Sequence, residues 1–458
     1  MTGNTSCGGG PMSTIQYPIR DVNLVPRACD PSEPLVPGDV RYANWNALRQ
    51  GIGSADLERD LKRTNGSVHH GTLCGHRGCG KSTELLRLKA WADQNGFLAV
   101  HTEVDTHLGQ IDLQFPDLFL LAATTVESAM KEFGEPLADD LIKQVVAWFD
   151  DIVKEDKETL KSELSLEVGG QLGGKLPFGL AKLFAKFTSG LKAGSDHVLK
   201  VRSKIRNYPD SLIALTNNLL FHANKILKEK GREKGILLMF DNLDRYDPDQ
   251  IDKVLFKSSE LIRRLRCHAI FTIPIGLEYH PSGPTQDEYD FSVVLPMLAL
   301  RKKQQPWNDS VASSRYCEEL IAEVREGLSK RLQLDVLFSD LALVDRLIRY
   351  SGGCIRDLMH LIKMTYRYCE GDQFDENAVN RAIQSMQSTY IRRLNDKDYQ
   401  RLAQIAKRNK AVPRDELTDR LLYHRHALEY LDDNNKPWLD VRPLVVEIEE
   451  FRDALGAL

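Results

Sequence analysis

The sequence lacks the features that mark membrane-spanning, disulfide-rich and zinc-binding proteins. Its eight cysteines include no C-x-x-C pair, the spacing that zinc sites and redox motifs use. Its longest apolar runs, such as Ile236–Phe240, are far shorter than the roughly 20 residues that cross a bilayer. The first residues, MTGNTSCGGGPMS, have neither the basic start nor the apolar stretch of a secretory signal. These absences predict a soluble, cytoplasmic protein with reduced thiols, and they argue against a membrane partner.

No sign of charge dominates the chain either. Its 458 residues carry 61 Lys plus Arg against 65 Asp plus Glu, a net charge of -4. Nucleic-acid binding would therefore have to come from a local basic patch, because it depends on neutralising phosphates. The hydrophobic content of 42% and charged content of 28% exclude collagen-like, coiled-coil and disordered chains. At roughly 150 residues per domain, the length predicts two to four units.

Alternating strand and helix patterns predict an α/β fold, a parallel sheet with helices on both faces. One strand pattern, Gly235–Phe240, is the continuous apolar run GILLMF, which is typical of a strand buried on both faces. The other strand patterns are Val68–Cys74, Phe97–Val104, Ala269–Ile275 and Phe291–Leu295. The helical patterns are Ala55–Arg63, Lys81–Asn95, Pro116–Phe133, Leu137–Lys157, Ser211–Lys230 and Pro248–Arg266.

Composition and pattern divide the chain into four parts. Residues 1–54 are rich in Gly, Pro and Ser and predict an extended leader on the surface or partly disordered. Residues 55–300 form the sheet-bearing core, with a helical insert at about 105–230. Residues 301–390 are helical throughout and are predicted to form a helical lid on the core, and 391–458 form a small C-terminal unit of two helices and a hairpin.

The strongest motif lies between the first strand pattern and the helix that follows. It fits G-x-x-x-x-G-K-[ST] at every fixed position, the loop that binds nucleotide phosphates. Glycines let backbone N–H groups surround the phosphates at a helix N-terminus, while Lys81 neutralises the β- and γ-phosphates and Ser82 binds Mg²⁺. The predicted nucleotide-binding residues are Gly75, His76, Arg77, Gly78, Cys79, Gly80, Lys81, Ser82 and Thr83.

A second motif ends the apolar strand, in ILLMFDNLDR. Asp241 at this strand end is a Walker B acid that would hold Mg²⁺ with Ser82. Asn242 follows, where many ATPases have a glutamate that activates water, and an amide cannot accept that proton. Asp244 and Glu103 are candidate replacements, since strand ends converge at this edge of the sheet. Each could equally be a surface carboxylate.

Two further residues are candidate nucleotide sensors. Thr272, on the strand after Walker B, would bond the attacking water or the γ-phosphate, although a threonine there is as often a packing residue. Arg356 lies in the first turn of the helix in YSGGCIRDLMHLI, where a cation opposes the helix dipole unless an anion faces it. The γ-phosphate would supply that anion, and the alternative is an ion pair with Asp357 or a nearby carboxylate.

GHRGCGKSTELLRL, ILLMFDNLDR and SGGCIRDLMHLI, in this order, resemble the AAA+ and STAND-type P-loop ATPases, in particular their origin-recognition-like and prokaryotic conflict-system branches. The resemblance spans roughly residues 40–390 and implies that ATP, not GTP, is bound with Mg²⁺. It also implies Thr272 as sensor 1, Arg356 as sensor 2, and a homo-oligomer with an arginine acting in trans. The candidates for that arginine are Arg245, Arg263, Arg264 and Arg266. Asn242 and the long insert depart from the pattern.

Two regions carry separate hypotheses. Val168–Leu191 places Leu180, Phe184 and Phe187 on one helical face, which suits either membrane insertion or, more simply, packing on the core. Lys200–Arg206 is a local basic run, either a phosphate contact or a solvated face. The C-terminal unit resembles a winged helix, but 391–458 balances 13 basic against 13 acidic residues, so a protein contact is at least as well favoured as DNA.

Together these features predict an ATP-hydrolysing regulatory ATPase whose nucleotide state controls assembly or a protein partner, and the absence of a glutamate at Asn242 allows for slow turnover. The resemblance to the conflict-system branch implies a role in antiviral defence. The first alternative is a DNA-binding initiator or transposition ATPase that uses the basic run and the winged helix. The second alternative is a membrane-active effector that uses 168–191.

Overall fold

A five-stranded parallel sheet forms the centre of the protein. The computed structural model describes residues 15–49, 51–64, 66–109, 112–154, 180–278, 288–307, 310–311, 314–407, 412–413 and 415–458. The strands are β1 His70–Cys74, β2 Phe97–Glu103, β3 Gly235–Asp241, β4 His268–Ile273 and β5 Phe291–Val294. Their order across the sheet is β2-β3-β4-β1-β5 and every pairing is parallel. The predicted α/β class with a parallel sheet is confirmed.

Burial and register explain why these segments form strands and where their ends lie. Every residue of β3 is buried, as the apolar run GILLMF predicts for a strand covered on both faces. β2 pairs with β3 so that Glu103 stands directly beside Asp241. Both carboxylates therefore leave the sheet at the same edge, where parallel strands present their carboxyl ends.

Among the described residues, helices cover the sheet and form most of the remaining segments. Those of eight residues or more are α1 Ser54–Lys62, α2 Lys81–Gln94, α3 Phe115–Glu132, α4 Asp139–Lys154, α5 Leu180–Lys192, α6 Asp196–Asn207, α7 Pro209–Glu229, α8 Glu318–Ser329, α9 Leu341–Ser351, α10 Ile355–Tyr368, α11 Glu376–Ile391, α12 Asp396–Lys407, α13 Glu416–Tyr423 and α14 Glu449–Gly456. Shorter helical turns lie at Val25–Ala28, Asn46–Arg49, Val104–Leu108, Ile275–Glu278, Leu334–Leu337 and Pro443–Val446.

One predicted helix, Pro248–Arg266, is not continuous. It is divided into the turns Pro248–Ile251, Asp252–Phe256 and Ser259–Ile262. The middle turn is a π-turn, in which the Lys257 N–H donates to the carbonyl five residues back, at 2.8 Å. Such a turn shifts the helical register. The apolar spacing therefore continues along the sequence, although the regular α-helical backbone is interrupted.

The leader differs from the expectation of an extended surface segment in the part that the structure describes. Between residues 15 and 49 it forms short helical turns and buries Ile19, Val25 and Cys29. The Ile19 N–H donates to the Arg331 carbonyl at 2.9 Å. The Arg41 guanidinium holds Glu33 and Asp39 within 3.0 Å and 2.7 Å. This proline-rich segment is therefore packed on the protein, because its apolar residues reach the core.

The insert packs as a helical layer beside β2. In α5 the apolar residues Leu180, Phe184 and Phe187 are at most 6% exposed, and α5 contacts α3, α4 and α6. Residues 168–179 of the segment proposed for membrane insertion lie outside the described residues. Across the described residues, no helix is both long enough and apolar enough to cross a bilayer.

The C-terminal unit has the predicted helix–helix–hairpin order. α12 and α13 lead into β6 Ala427–Leu431 and β7 Pro437–Val441, which pair antiparallel. α13 contacts β6 and also the core turn Ile275–Glu278. The helix that the winged-helix hypothesis assigns to recognition, α13, is therefore packed against the sheet-bearing core.

Candidate nucleotide-binding site

The G-x-x-x-x-G-K-S loop joins the end of β1 to the first residue of α2. Gly78 and Gly80 have φ of 88° and 107°, values that side chains with a Cβ rarely adopt. A Cβ on Gly78 would also lie 2.4 Å from the Cβ of Arg356. Glycine is thus required at Gly78 both for the turn of the loop and for the close approach of α10.

Lys81 is buried and held in place by oxygens. Its Nζ donates to the carbonyls of Gly75 at 2.7 Å and His76 at 2.9 Å, and lies 3.0 Å from a carboxylate oxygen of Asp244. Burial, the largest single influence, lowers the pKa of Lys81, but the charge and hydrogen bond of Asp244 together with the nearby thiols of Cys79 and Cys74 raise it, so that its pKa is above its ordinary value. The amine is therefore charged at neutral pH, and Asp244 is its counter-ion.

Asp241 has the surroundings of a metal ligand. Its carboxylate accepts hydrogen bonds from His101 Nε2 at 3.0 Å and from the Asn242 N–H at 2.7 Å, and the Ser82 hydroxyl lies nearby. Burial raises the pKa of Asp241, and these bonds, those of His101 first, lower it below its ordinary value. A hydroxyl and an ionised carboxylate close to each other are the oxygen pair that Mg²⁺ uses at such loops, so Ser82 and Asp241 fit this ion.

Asp105, a residue that the sequence analysis missed, fixes the turn after Asp241. Asn242 has φ of 66°, and its Nδ2 donates to Asp105 at 2.8 Å. Asp105 also holds Arg245 at 2.7 Å. Asn242 thus positions this turn by donating a hydrogen bond to Asp105. An ionised glutamate in its place could not donate that bond. The only sequence signal for Asp105 was its place two residues after Glu103, just past the end of β2.

The candidate base Glu103 and the candidate sensor Thr272 have different surroundings. Glu103 lines the cleft together with Lys81 and Asn242, and its carboxylate accepts from the Thr106 hydroxyl at 2.9 Å. Thr272 is buried within the sheet and is not among the cleft-lining residues. Its hydroxyl accepts from the Leu243 N–H at 3.1 Å and donates to the Phe240 carbonyl at 3.3 Å.

Arg356 enters the cleft from the lid. Its backbone N–H donates to the Gly78 carbonyl at 3.3 Å, and its Nε has no hydrogen-bond partner among the described residues. Burial, then the charge of Arg425, lowers the pKa of Arg356. Asp357, the alternative partner, is instead paired with Arg425 at 3.3 Å and with Arg442. The guanidinium thus faces a cleft that favours an added anion.

The leader forms the opposite wall of the cleft, which composition alone did not predict. The Leu35 N–H donates to the Thr83 hydroxyl at 3.3 Å, Arg49 donates to the Cys79 carbonyl, and Tyr42 and Trp45 line the cleft. The cavity between leader, loop and lid has a volume of about 130 Å³. Pockets that hold small molecules are usually roughly 300 Å³ or more, so a nucleotide requires the walls to separate.

The four candidate trans arginines are spread over the core. Arg245 lines the cleft. Arg264 lies at the surface, 2.7 Å from Asp210. Arg263 precedes it and Arg266 follows it, near the start of β4. Their placement leaves the choice among them open.

The C-terminal unit contacts the phosphate loop directly. The Glu429 N–H, on β6, donates to His76 Nε2 at 2.8 Å. The Arg77 guanidinium lies 4.4 Å from the ring centre of Tyr423 at the end of α13, and Arg425 donates to the Arg77 carbonyl at 3.2 Å. Burial, then the charge of Lys81, lowers the pKa of His76 to about 3. The imidazole is therefore neutral and can accept the Glu429 N–H.

Glu429 gives this contact a pH dependence. Burial, then the charge of Glu278, raises the pKa of Glu429 from 4.5 to about 8. The folded state therefore holds the proton more tightly than the unfolded state, so the stabilisation is complete below pH 4.5 and is lost as pH rises through about 8.

We expect Glu429→Gln to remove this dependence. At about 1.4 kcal/mol per pKa unit, the wild type should lose about 2 kcal/mol of unfolding free energy between pH 6 and 8, and the variant should lose less. Urea denaturation at pH 6 and at pH 8 measures the free energy of unfolding, and the exposed Glu450→Gln is the control. An equal loss in wild type and Glu429→Gln would contradict the prediction.

Comparisons with known proteins give distant matches only. No family model matches the chain, and a search of curated proteins finds no relative. Among solved structures, the chain is similar to the Walker-type ATPase of Pyrococcus abyssi at 14% identity and a TM-score of 0.42, over 93% of this chain and 99% of that one. It is also similar to a RuvB variant of Thermotoga maritima at 11% identity and a TM-score of 0.35, over 91% and 98%. The P-loop α/β fold is therefore assigned from this chain's own strand–loop–helix geometry and parallel sheet.

Proposed function

We propose that the protein is an ATP-binding and hydrolysing regulatory ATPase, whose nucleotide state sets the position of the lid and the C-terminal unit. The observation that carries the proposal is that both units contact the phosphate loop itself, Arg356 at Gly78 and Glu429 at His76. A nucleotide that enters the small cleft has to displace these contacts, and the displacement would be passed to whatever the C-terminal unit binds.

In this proposal the loop binds the phosphates and Lys81 exchanges the carboxylate of Asp244 for phosphate oxygens. Mg²⁺, held by Ser82 and Asp241, would supply positive charge against the β- and γ-phosphates. Arg356 adds charge from the lid side. Thr272 acts through its bond to the Leu243 N–H, which fixes the turn after Asp241, and so has a positioning role.

Glu103 is the proposed acceptor of the water proton, because it lines the cleft and stands directly beside Asp241 at the end of the neighbouring strand. We expect Glu103→Gln to lower kcat by about 100-fold with little change in nucleotide affinity, since general bases contribute roughly 10²–10⁴-fold. Steady-state hydrolysis together with equilibrium binding of a non-hydrolysable ATP analogue separates the two. A Glu103→Gln variant with the wild-type kcat would refute this assignment. Asp105→Asn is a poor control, because Asp105 holds Asn242, so the exposed Glu450→Gln serves instead.

The regulatory part is tested by hydrogen exchange of the full chain with and without MgATP. The proposal expects faster exchange at the Glu429 amide and along α13 when nucleotide binds, and no change in Lys81→Ala. If amide exchange were the same with and without MgATP while ATP was hydrolysed, the protein would be an ATPase whose nucleotide state does not regulate the C-terminal unit.

The proposed output is assembly or contact with a protein partner, which includes a homo-oligomer completed by one of the candidate arginines and a role in antiviral defence. Nothing in the contacts favours DNA over protein: α13 packs on the core and Tyr423 is stacked on Arg77. In the basic run, Arg202 is only 4% exposed and is paired with Asp117. Hydrolysis measured with and without duplex DNA distinguishes the alternatives, and DNA-stimulated turnover would favour the initiator function.

A further inference from the structure

A second cavity lies away from the phosphate loop, between the outer strand β2 and the insert helices α3 and α5. Its volume is about 520 Å³, within the roughly 300–1,000 Å³ of small-molecule pockets. β2 is the edge strand of the sheet. The nucleotide cleft and this cavity share no lining residue, so the cavity is a separate candidate site.

An unpartnered polar group in this cavity points to a ligand. Thr102 lines the cavity and is 3% exposed, yet its hydroxyl has no hydrogen-bond partner among the described residues. A buried hydroxyl without a partner is costly and uncommon. A ligand that exchanged hydrogen bonds with Thr102 would remove that cost.

The other polar groups define what the ligand must offer. The Thr125 and Thr188 hydroxyls donate to the carbonyls of Leu121 at 2.8 Å and Ala185 at 3.1 Å, so each uses its one proton and can only accept from a ligand. Glu132 adds a carboxylate acceptor. The cavity therefore suits a molecule with several hydrogen-bond donors.

Charge and apolar surface complete the specification. Lys192 lines the cavity, and among the described residues its Nζ makes one bond, to the His107 carbonyl at 3.3 Å, which leaves two protons for an anion. Phe184 and Ala129 contribute apolar surface. Hydroxyl donors, a C–H face and one anionic group occur together in a sugar phosphate. We propose that this cavity, formed by Thr102, Thr125, Thr188 and Lys192, binds a phosphorylated sugar.

His101 and Thr106 both line the cavity and bond to residues of the nucleotide site, His101 through its Nε2 to Asp241 and Thr106 to Glu103. A ligand in contact with His101 fixes this ring against the proposed Mg²⁺ ligand, and so raises the rate of ATP hydrolysis. This regulatory part rests on the proposed function, whereas binding does not.

Isothermal titration calorimetry of the full-length Lys81→Ala variant tests binding, because a lost phosphate-loop lysine weakens phosphate capture at the other site. The probe is glucose 6-phosphate, with glucose and inorganic phosphate as the partial ligands. We expect a Kd below about 1 mM for the probe and at least about tenfold weaker binding of each partial ligand. Equal affinity for inorganic phosphate, or no binding of the probe, would overturn the proposal.

Variants in the Lys81→Ala background locate the site. Thr102→Val and Lys192→Gln should each weaken probe binding by about fivefold or more, while the exposed Lys200→Gln leaves it unchanged. Thr102→Val should also keep the thermal midpoint, because the lost hydroxyl bonds nothing in the fold. Unchanged affinity in both cavity variants would overturn the site. In the wild type, a hydrolysis rate insensitive to a saturating probe would overturn the link through His101 alone.

Discussion

Lys81→Ala is expected to reduce ATP hydrolysis by at least about 100-fold, the loss that follows removal of a single preorganised charge donor at a reacting group. The amine is already oriented before nucleotide arrives, by the carbonyls of Gly75 and His76. Alanine removes both the charge and this orientation. Steady-state phosphate release measures the effect, and Lys89→Ala on the same helix is the matched control, since Lys89 is partly exposed and paired with Asp93.

The same substitution leaves the buried Asp244 without its counter-ion, so part of the loss could come from the fold. Lys81→Ala combined with Asp244→Asn separates the two effects. The double variant should recover unfolding free energy, because no uncompensated charge stays buried, but should not recover hydrolysis. A double variant that regained hydrolysis would show that Lys81 acts on Asp244 and not on the nucleotide.

Local patterns predicted much of the fold and the centre of the site. The apolar run of β3 and the glycine spacing of the phosphate loop depend on neighbours in sequence, and both lie where the patterns place them. The pairing of Glu103 with Asp241 followed from one rule, that parallel strands end at the same edge. The prediction of one continuous helix over Pro248–Arg266 was wrong, because a π-turn keeps the apolar spacing of the sequence while it interrupts the α-helical backbone.

The remaining site residues could not be predicted, because their partners are distant in sequence. His101 lies 140 residues from Asp241, and Glu429 lies 353 residues from His76. Composition predicted an extended or partly disordered leader. Its turns instead bury apolar residues, and the leader forms one wall of the cleft. Only the folded chain reveals that the leader, lid and C-terminal unit converge on one loop.

The second large effect is expected at the junction between the lid and the C-terminal unit. Asp357 is fully buried and paired with Arg442, also fully buried, and with Arg425. Asp357→Ala leaves the Arg442 charge buried without its partner, and removing one member of a buried pair costs about 3–5 kcal/mol. Urea denaturation measures this loss. Asp345→Ala, which breaks a partly exposed pair with Arg325, should cost about 1 kcal/mol or less.

Asp357 adjoins Arg356, so the junction also sets the position of the arginine that enters the cleft. Replacing both charges, as Asp357→Leu with Arg442→Met, should restore at least half of the lost unfolding free energy, since an apolar pair carries no desolvation cost. If the junction positions Arg356, this stable double variant will still bind ATP more weakly than wild type. A restored fold with wild-type affinity would confine the pair to a structural role, and a loss below 1 kcal/mol in Asp357→Ala would contradict its burial as a charge pair.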